Sequence, residues 1–350
     1  MKRLNRIAFS VVCCVFASQA VWAQATIDTV KVHQLNEVVV KGVRAAKEAP
    51  YAVANIKKSE LQQFSRTGKE LPFLLSRTPG ILAWGENGLG TGTSYMRIRG
   101  AAGSRINVTL DGVALNSPED QTVFWANMNS YAALLGSVQI QRGVGSSTNG
   151  DGAFGGSISM ATAFPSLIPT AEVTGSFGSF NTYNTGVSFS TGLLGKHLIF
   201  DGAYHETATD GYIDGTSGRS GSYYGGLTWL ADNFKVSYKN IGNFEKTGQA
   251  WNGVLASDYE TNFTLMSDGI YTYKDMDAAG LGKFNILTAG LVRNGKGDYT
   301  IVPYTMRDGS LWNKTTDNFY QNHNILSAVW TPNDHWSHNF AVHYTYGYGY

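Results

Sequence analysis

Residues 339–350 read NFAVHYTYGYGY. Phe340, Val342, Tyr344, Tyr346, Tyr348 and Tyr350 fall on one side of a two-residue period. Asn339, Ala341, His343, Thr345, Gly347 and Gly349 fall on the other. Successive strand side chains point to opposite faces, so a strand here has one aromatic face and one small or polar face. The alternation recurs upstream from about Ala171. Tyr183, Thr185, Val187 and Phe189 oppose Asn184, Gly186, Ser188 and Ser190. Leu198, Phe200, Gly202 and Tyr204 share a face, and Phe234, Val236 and Tyr238 oppose Lys235, Ser237 and Lys239. Apolar-out, polar-in strands suit a membrane barrel with a wet lumen. A soluble β-sandwich is the other arrangement that short alternating strands allow. Connection lengths favour the barrel. Short links (191–196, 231–233, 331–335) alternate with long ones (206–220 and the stretch after Asn243), as periplasmic turns alternate with outer loops. Roughly seven strands are countable, fewer than a wide closed barrel needs. The alternation continues to Tyr350 without a turn signal, so the barrel is expected to be incomplete.

The N-terminus carries an address. Lys2, Arg3 and Arg6 precede the apolar run Ile7–Phe16, which is too short to span a bilayer, and Val21-Trp22-Ala23 offers small residues for cleavage. Residues 1–23 therefore read as a secretory signal, with the mature chain starting at Gln24. A lipoprotein site at Cys13 or Cys14 does not fit, because the residues before them lack the small-residue approach. Both cysteines fall inside the signal, so the mature chain has neither a disulfide framework nor a thiol nucleophile. Formal charge is +1, and removing the three N-terminal cations leaves 24 basic against 26 acidic residues, which does not point to nucleic acid. After residue 23 no apolar run reaches 18 residues, which excludes a helical membrane protein but not a barrel.

Between these ends lies a different texture. Residues 24–35 read as a flexible leader, and Asn36–Gly42 (NEVVVKG) as a β-branched run flanked by charge. Residues 43–165 read as a compact α/β unit. Tyr51–Ile56 is a strand. Thr67-Gly68-Lys69-Glu70 fits a capping box opening a helix through Leu71, Leu74, Leu75 and Thr78, with Pro72 late for a first turn. Pro79-Gly80 ends that helix. Tyr95–Arg99 is a short strand. Ile106–Leu110 and Val113–Leu115 flank Asp111-Gly112, a two-residue hairpin turn needing positive φ at both positions. A short helix at Asn129–Leu135 leads into a strand at Val138–Gln141.

These motifs together resemble a known family. Arg97-Ile98-Arg99-Gly100, Ile106–Val113 (INVTLDGV) and Val138–Ile158 (VQIQRGVGSSTNGDGAFGGSI) resemble the plug domain of TonB-dependent receptors, and residues 170–350 resemble the start of their 22-stranded barrel. Val144 stands where the family usually has proline. The resemblance implies an α+β plug followed by antiparallel transmembrane β-barrel strands, in the bacterial outer membrane. It gives four segments: signal 1–23, leader 24–42, plug 43–165 and the first part of the barrel, 166–350. It also implies that Asn36, Glu37, Val38, Val39 and Val40 form a TonB box, captured by the partner TonB through strand addition, with Asp28–Val32 a second candidate. Arg99 and Arg142 match arginines that pair with glutamates of later wall strands. Trp84, Glu86, Asn87, Tyr95, Gln121, Phe124 and Trp125 fall on loops that face outward and bind ligand.

Other signals carry less. Gly88-Leu89-Gly90-Thr91-Gly92 lacks the helix and acidic residue of a dinucleotide site and reads as a mobile apical loop. His335, His338 and His343 cannot converge at period two, because His338 faces opposite to the others. Sequons at Asn107, Asn262 and Asn313 mean nothing in a bacterial envelope. No catalytic set, cofactor motif or metal motif is present, so no enzyme is expected. The expected function is energised uptake of a scarce small-molecule ligand such as an iron–siderophore or other metal complex. A passive pore or surface-binding protein is the alternative from another class, and cobalamin or glycan uptake an alternative within the class. The glycan type carries an extra domain before the plug, for which residues 24–35 leave no room.

Overall fold

The structure, a computed structural model, describes residues 44–45, 50, 52–144, 153–250, 274, 278, 281–293, 299–312, 315–333 and 335–350. The signal, both TonB-box candidates and the centre of the glycine-rich motif lie outside the described residues.

The first unit is a five-stranded mixed sheet with helices on it. Its strands are β1 (Ala52–Lys57), β4 (Ile106–Leu110), β5 (Val113–Ala114), β6 (Leu135–Arg142) and β7 (Gly156–Thr162), in the order β1-β6-β7-β4-β5. Only β4 and β7 run parallel. The strands β2 (Ile81–Gly85) and β3 (Ser94–Ile98) form a separate antiparallel ribbon. Helices α1 (Lys58–Ser65), α2 (Leu71–Leu75) and α3 (Tyr131–Leu134) bury Leu61, Phe64, Leu71, Leu74, Leu75 and Tyr131 against Val108, Ile140, Ile158 and Met160. The Asp111-Gly112 turn forms as expected, with φ +51° and +85°.

One helix goes unforeseen in the sequence, and one local expectation needs correction. The helix α1 has only Leu61 and Phe64 buried, too few apolar positions to show as a period. The capping box at Thr67–Glu70 is not made. Thr67 closes α1 instead, its hydroxyl donating to Phe64 O at 2.7 Å and accepting from Lys69 N at 3.3 Å. Glu70 is the N-cap residue of α2 but its carboxylate accepts from Ser94 Oγ, so Pro72 is a first-turn proline after all and Thr78 lies beyond the helix. In the glycine-rich stretch, a side chain at Gly155 would lie 2.5 Å from Ala101 Cβ and 2.7 Å from Arg105 O, where the chain crosses tightly.

The second unit is a seven-stranded antiparallel meander: β8 (Pro169–Phe177), β9 (Tyr183–Thr191), β10 (Leu198–Thr209), β11 (Gly218–Leu230), β12 (Phe234–Gly248), β15 (Thr316–Asn333) and β16 (Trp336–Gly349). A two-stranded ribbon, β13 (Ala289–Arg293) with β14 (Tyr299–Pro303), belongs to the long link between β12 and β15. The sidedness is that of a membrane wall. Phe189 is 44% exposed and Asn184 7% on the same strand. Phe200, Leu227, Trp229, Leu326 and Trp330 point away from the first unit. Ser190, Asp201, Ser222, Ser237 and Asn243 are buried on the side facing it. Among the described residues no helix is long and apolar enough to cross a membrane, which says nothing of a barrel.

This sidedness sets a test. Leu227→Arg on the outward face should cost about 2–4 kcal/mol if that face meets lipid near the bilayer midplane. Denaturant titration in lipid vesicles measures it. A cost near zero would mean the outward face is wetted and the wall does not span.

Candidate functional site

The plug sheet meets the wall through one buried ion pair. The β4–β5 turn presents Asp111, which accepts from Thr162 N (2.9 Å), Thr162 Oγ1 (2.9 Å) and Lys239 Nζ (2.6 Å). Lys239 comes from the inner face of β12, and the two side chains are 11% and 5% exposed. Burial alone would push the Asp111 carboxyl up. The charge and hydrogen bond of Lys239, with the two bonds from Thr162, outweigh burial and hold it below its ordinary value. Sequence reading saw Asp111 as a turn former and Lys239 as one polar strand position. Nothing at single-strand level signals that they meet across 128 residues.

A second tie fixes the entry to the plug. The Arg44 guanidinium donates to Ser137 Oγ (2.9 Å), Ser137 O (3.1 Å), Ser159 Oγ (3.2 Å) and Ser159 O (2.8 Å), spanning β6 and β7. Burial draws it down to about 10, against the opposing charge of Asp111. Ala45 exchanges two hydrogen bonds with the Gln139 amide, which also donates to Asn55 of β1. The chain is thus fastened to two strands, β6 and β7, four residues beyond the expected TonB box.

Between α1 and the inner faces of β8–β10 lies a cavity of about 320 Å³. Lys58, Gln62 and Arg66 line one side, and Glu172, Asp201 and His205 the other. A cavity of mixed lining, with Leu134, Phe164 and Phe189 beside the charged groups, therefore separates part of the plug from the wall.

At the other end, the β2–β3 ribbon and its loop reach the long connections. Asn87 O accepts from Tyr212 N at 3.1 Å, Thr93 Oγ1 donates to Gln249 Oε1 at 3.0 Å, and Ala250 N donates to Glu86 Oε2 at 3.4 Å. The Gly88–Gly92 loop is pinned by these bonds and by the Asn87 side chain, which caps Leu89 N and Gly90 N. The seven ligand-contact candidates separate accordingly. Trp84 and Tyr95 are cross-strand partners, stacked with centroids 5.5 Å apart, and Arg97 lies over Trp84 at 6.0 Å. The Tyr95 hydroxyl donates to Glu86 Oε1 at 2.6 Å. Phe124 is exposed, and Gln121 sits in a loop with φ +61°. Asn87 and Trp125 are buried, Trp125 in the hydrophobic core, so neither offers its side chain at the surface.

Arg99 and Arg142 both close on the Pro79-Gly80 corner. Arg142 Nη1 donates to Pro79 O at 2.7 Å and Arg99 N to Gly80 O at 2.7 Å. Among the described residues neither forms an ion pair. His338 stacks on Trp330 and Trp336 on the outward face, while His343 lies across the strand pair from Ile325 on the inward one. No group of three His, Cys, Asp or Glu could hold a metal among the described residues.

Comparison with known proteins agrees with this geometry. Residues 45–157 match the TonB-dependent receptor plug domain family. No curated protein sequence matches the chain. Among solved structures, the ferric yersiniabactin uptake receptor FyuA from Yersinia pestis is similar at 14% identity and TM-score 0.61, over 88% of this chain and 43% of that one. The ferric-catecholate import receptor Fiu from E. coli is similar at 15% and 0.61, over 88% and 38%. FpvA from P. aeruginosa, bound to pyoverdine, is similar at 13% and 0.58, over 85% and 34%. The chain thus spans 34 to 43% of the length of these receptors. Residues 45–157 thus form a TonB-dependent receptor plug domain, and the outward-apolar strands that follow share the fold of the barrels of these receptors.

Proposed function

We propose that this receptor takes up a scarce ligand, an iron–siderophore or another metal complex, across the bacterial outer membrane by TonB-driven displacement of its plug. The observation that carries the reading is the double tie of the plug. Lys239–Asp111 holds it to the wall, and Arg44 holds its entry segment to β6 and β7. A plug fastened in this way closes the passage at rest, and a pull on the leader reaches it at one defined point. The named cargoes of the similar structures (yersiniabactin, a ferric catecholate, pyoverdine) support a metal-complex ligand. A passive pore fits less well, since a buried ion pair plugging it would serve no flow.

Coupling through residues 36–40 is tested with Val39→Pro, which removes a backbone donor needed for strand addition. Uptake should fail while ligand still binds at the cell surface. Normal uptake would shift the box to Asp28–Val32 or end the coupling idea.

Ligand contact is tested at the stacked pair. Trp84→Ala with Tyr95→Ala should weaken ligand binding about tenfold or more, without lowering the amount of receptor in the membrane. Unchanged affinity would take this pair out of the binding surface.

The wall tie has a pH signature. Asp111 is a depressed carboxylate, so its contribution is fully present above the unfolded value of about 3.9 and is lost as pH falls below that through the folded value. Plug unfolding followed by Trp125 fluorescence should therefore show this contribution intact from neutral pH to about pH 4 and declining only below. At pH 7, Lys239→Ala should destabilise the plug by about 3–5 kcal/mol, because it strands a buried charge. A variant as stable as the parent would show that the pair does not hold the plug.

A further inference from the structure

Towards the outer-loop end of the plug–wall contact, five buried oxygen atoms have no hydrogen-bond partner. They are Glu70 Oε1 and Ser130 Oγ from the plug, and Ser222 Oγ, Asn243 Oδ1 and Glu245 Oε2 from the wall. Buried polar atoms are almost always paired, so a group of them calls for an explanation. Ser222 and Asn243 are direct cross-strand partners on β11 and β12, and Glu245 follows two residues on, on the same inward face. The plug segment 129–131 crosses this patch. Asn129 Nδ2 donates to Ser220 Oγ, and Ser220 is the cross-strand partner of Glu245. Asn243 Nδ2 donates to the Tyr131 hydroxyl at 3.0 Å. Ser130 therefore sits between two side chains anchored on the same stretch of wall.

The chemistry of the group is one-sided. It holds two carboxyls, an amide carbonyl and two hydroxyls, and no nitrogen or sulfur ligand. Glu70 is wholly buried and Glu245 is 5% exposed, yet among the described residues no cation pairs with either. Two buried carboxyls without a counter-charge, together with unpartnered neutral oxygens, match what a hard cation requires. The set falls outside any cluster of His, Cys, Asp and Glu because three of its five oxygens are amide or hydroxyl.

We propose that this patch is a divalent-cation site of the calcium class that bridges plug and wall. Asn243 and Glu245 are its wall ligands, Ser130 and Glu70 its plug ligands, Ser222 lies beside them, and water completes the shell. Such an ion fastens the outer end of the plug as Lys239–Asp111 fastens the inner end. The proposal does not depend on what the receptor transports.

The test uses the receptor purified in detergent and stripped with EDTA, with terbium as the probe ion. Tyr131 and Trp125 belong to the same part of the plug and serve as sensitisers. Terbium emission excited through them should appear, be displaced by calcium, and accompany a calcium-dependent rise in the plug's unfolding midpoint. Glu245→Gln should lower terbium affinity about tenfold or more, because divalent affinity follows the charge of the ligands. Asn243→Ala, with a neutral ligand removed, should give a smaller loss, and it carries the test if Glu245→Gln does not fold. Glu206→Gln, which breaks an ion pair with Arg219 on the outward face, should leave terbium affinity unchanged. Emission equal in parent and both site variants, or an unfolding midpoint indifferent to calcium and EDTA, overturns the site and leaves these oxygens to ordered water.

Discussion

A sheet that pairs its backbone sideways leaves its two faces free to meet different solvents, and that constraint governs this molecule. The outward face of the wall presents Phe189, Phe200, Leu227 and Trp330. The inward face presents Asn184, Ser190, Ser237 and Asn243. A lipid solvent accepts the first set only if the backbone is fully paired within the sheet. The second set must then be hydrated or covered. In this chain the plug covers much of it, and two wall residues, Ile241 and Ile325, join the plug's hydrophobic core. The plug is thus part of the wall's interior solvent, and its sequence answers to the wall as much as to its own sheet.

Charge divides along that contact. At the turn end, Lys239, Asp111 and Arg44 gather, and Lys235 Nζ lies 4.9 Å from the centroid of Phe164 in the link between the two units. Towards the long loops the buried charges are the carboxyls Glu70 and Glu245. Interior charge pairs contribute little net stability but penalise any other register heavily. An interface with a paired cation and acid at one end and unpaired carboxyls at the other admits one seating of the plug, since a slide along the lumen would bring unlike surroundings to each.

How much of this was readable in the sequence depended on whether the signal was local. The wall strands were legible because period two repeats over many residues, and Tyr183 to Phe189 or Phe340 to Val342 need no partner to be seen. The hairpin at Asp111-Gly112 was legible because its turn geometry restricts composition. The helix α1 was not, since two buried side chains make no period. The Thr67–Glu70 box misled because its acceptor, Glu70, is taken by Ser94 of a strand 24 residues later. The candidate site shows the same limit. Trp84 and Tyr95 stack across the β2–β3 ribbon, while Trp125, equally aromatic in the sequence, lies in the core. The ion pair and the unpartnered oxygens were invisible, because each joins plug to wall across a long separation.

The Asp111-Gly112 turn gathers both kinds of constraint in two adjacent residues. Gly112 answers to backbone geometry, which nothing outside the hairpin alters. Asp111 could give way to Asn or Gly as far as the turn is concerned. It cannot do so for Lys239, whose ammonium would then be buried without a counter-charge. The two positions therefore tolerate change on different terms. A substitution at 112 is judged by the loop itself, and one at 111 by a strand of the other unit. Drift at 111 and at 239 is consequently bound together, so the plug's turn and the wall's fifth strand can be altered only as a pair.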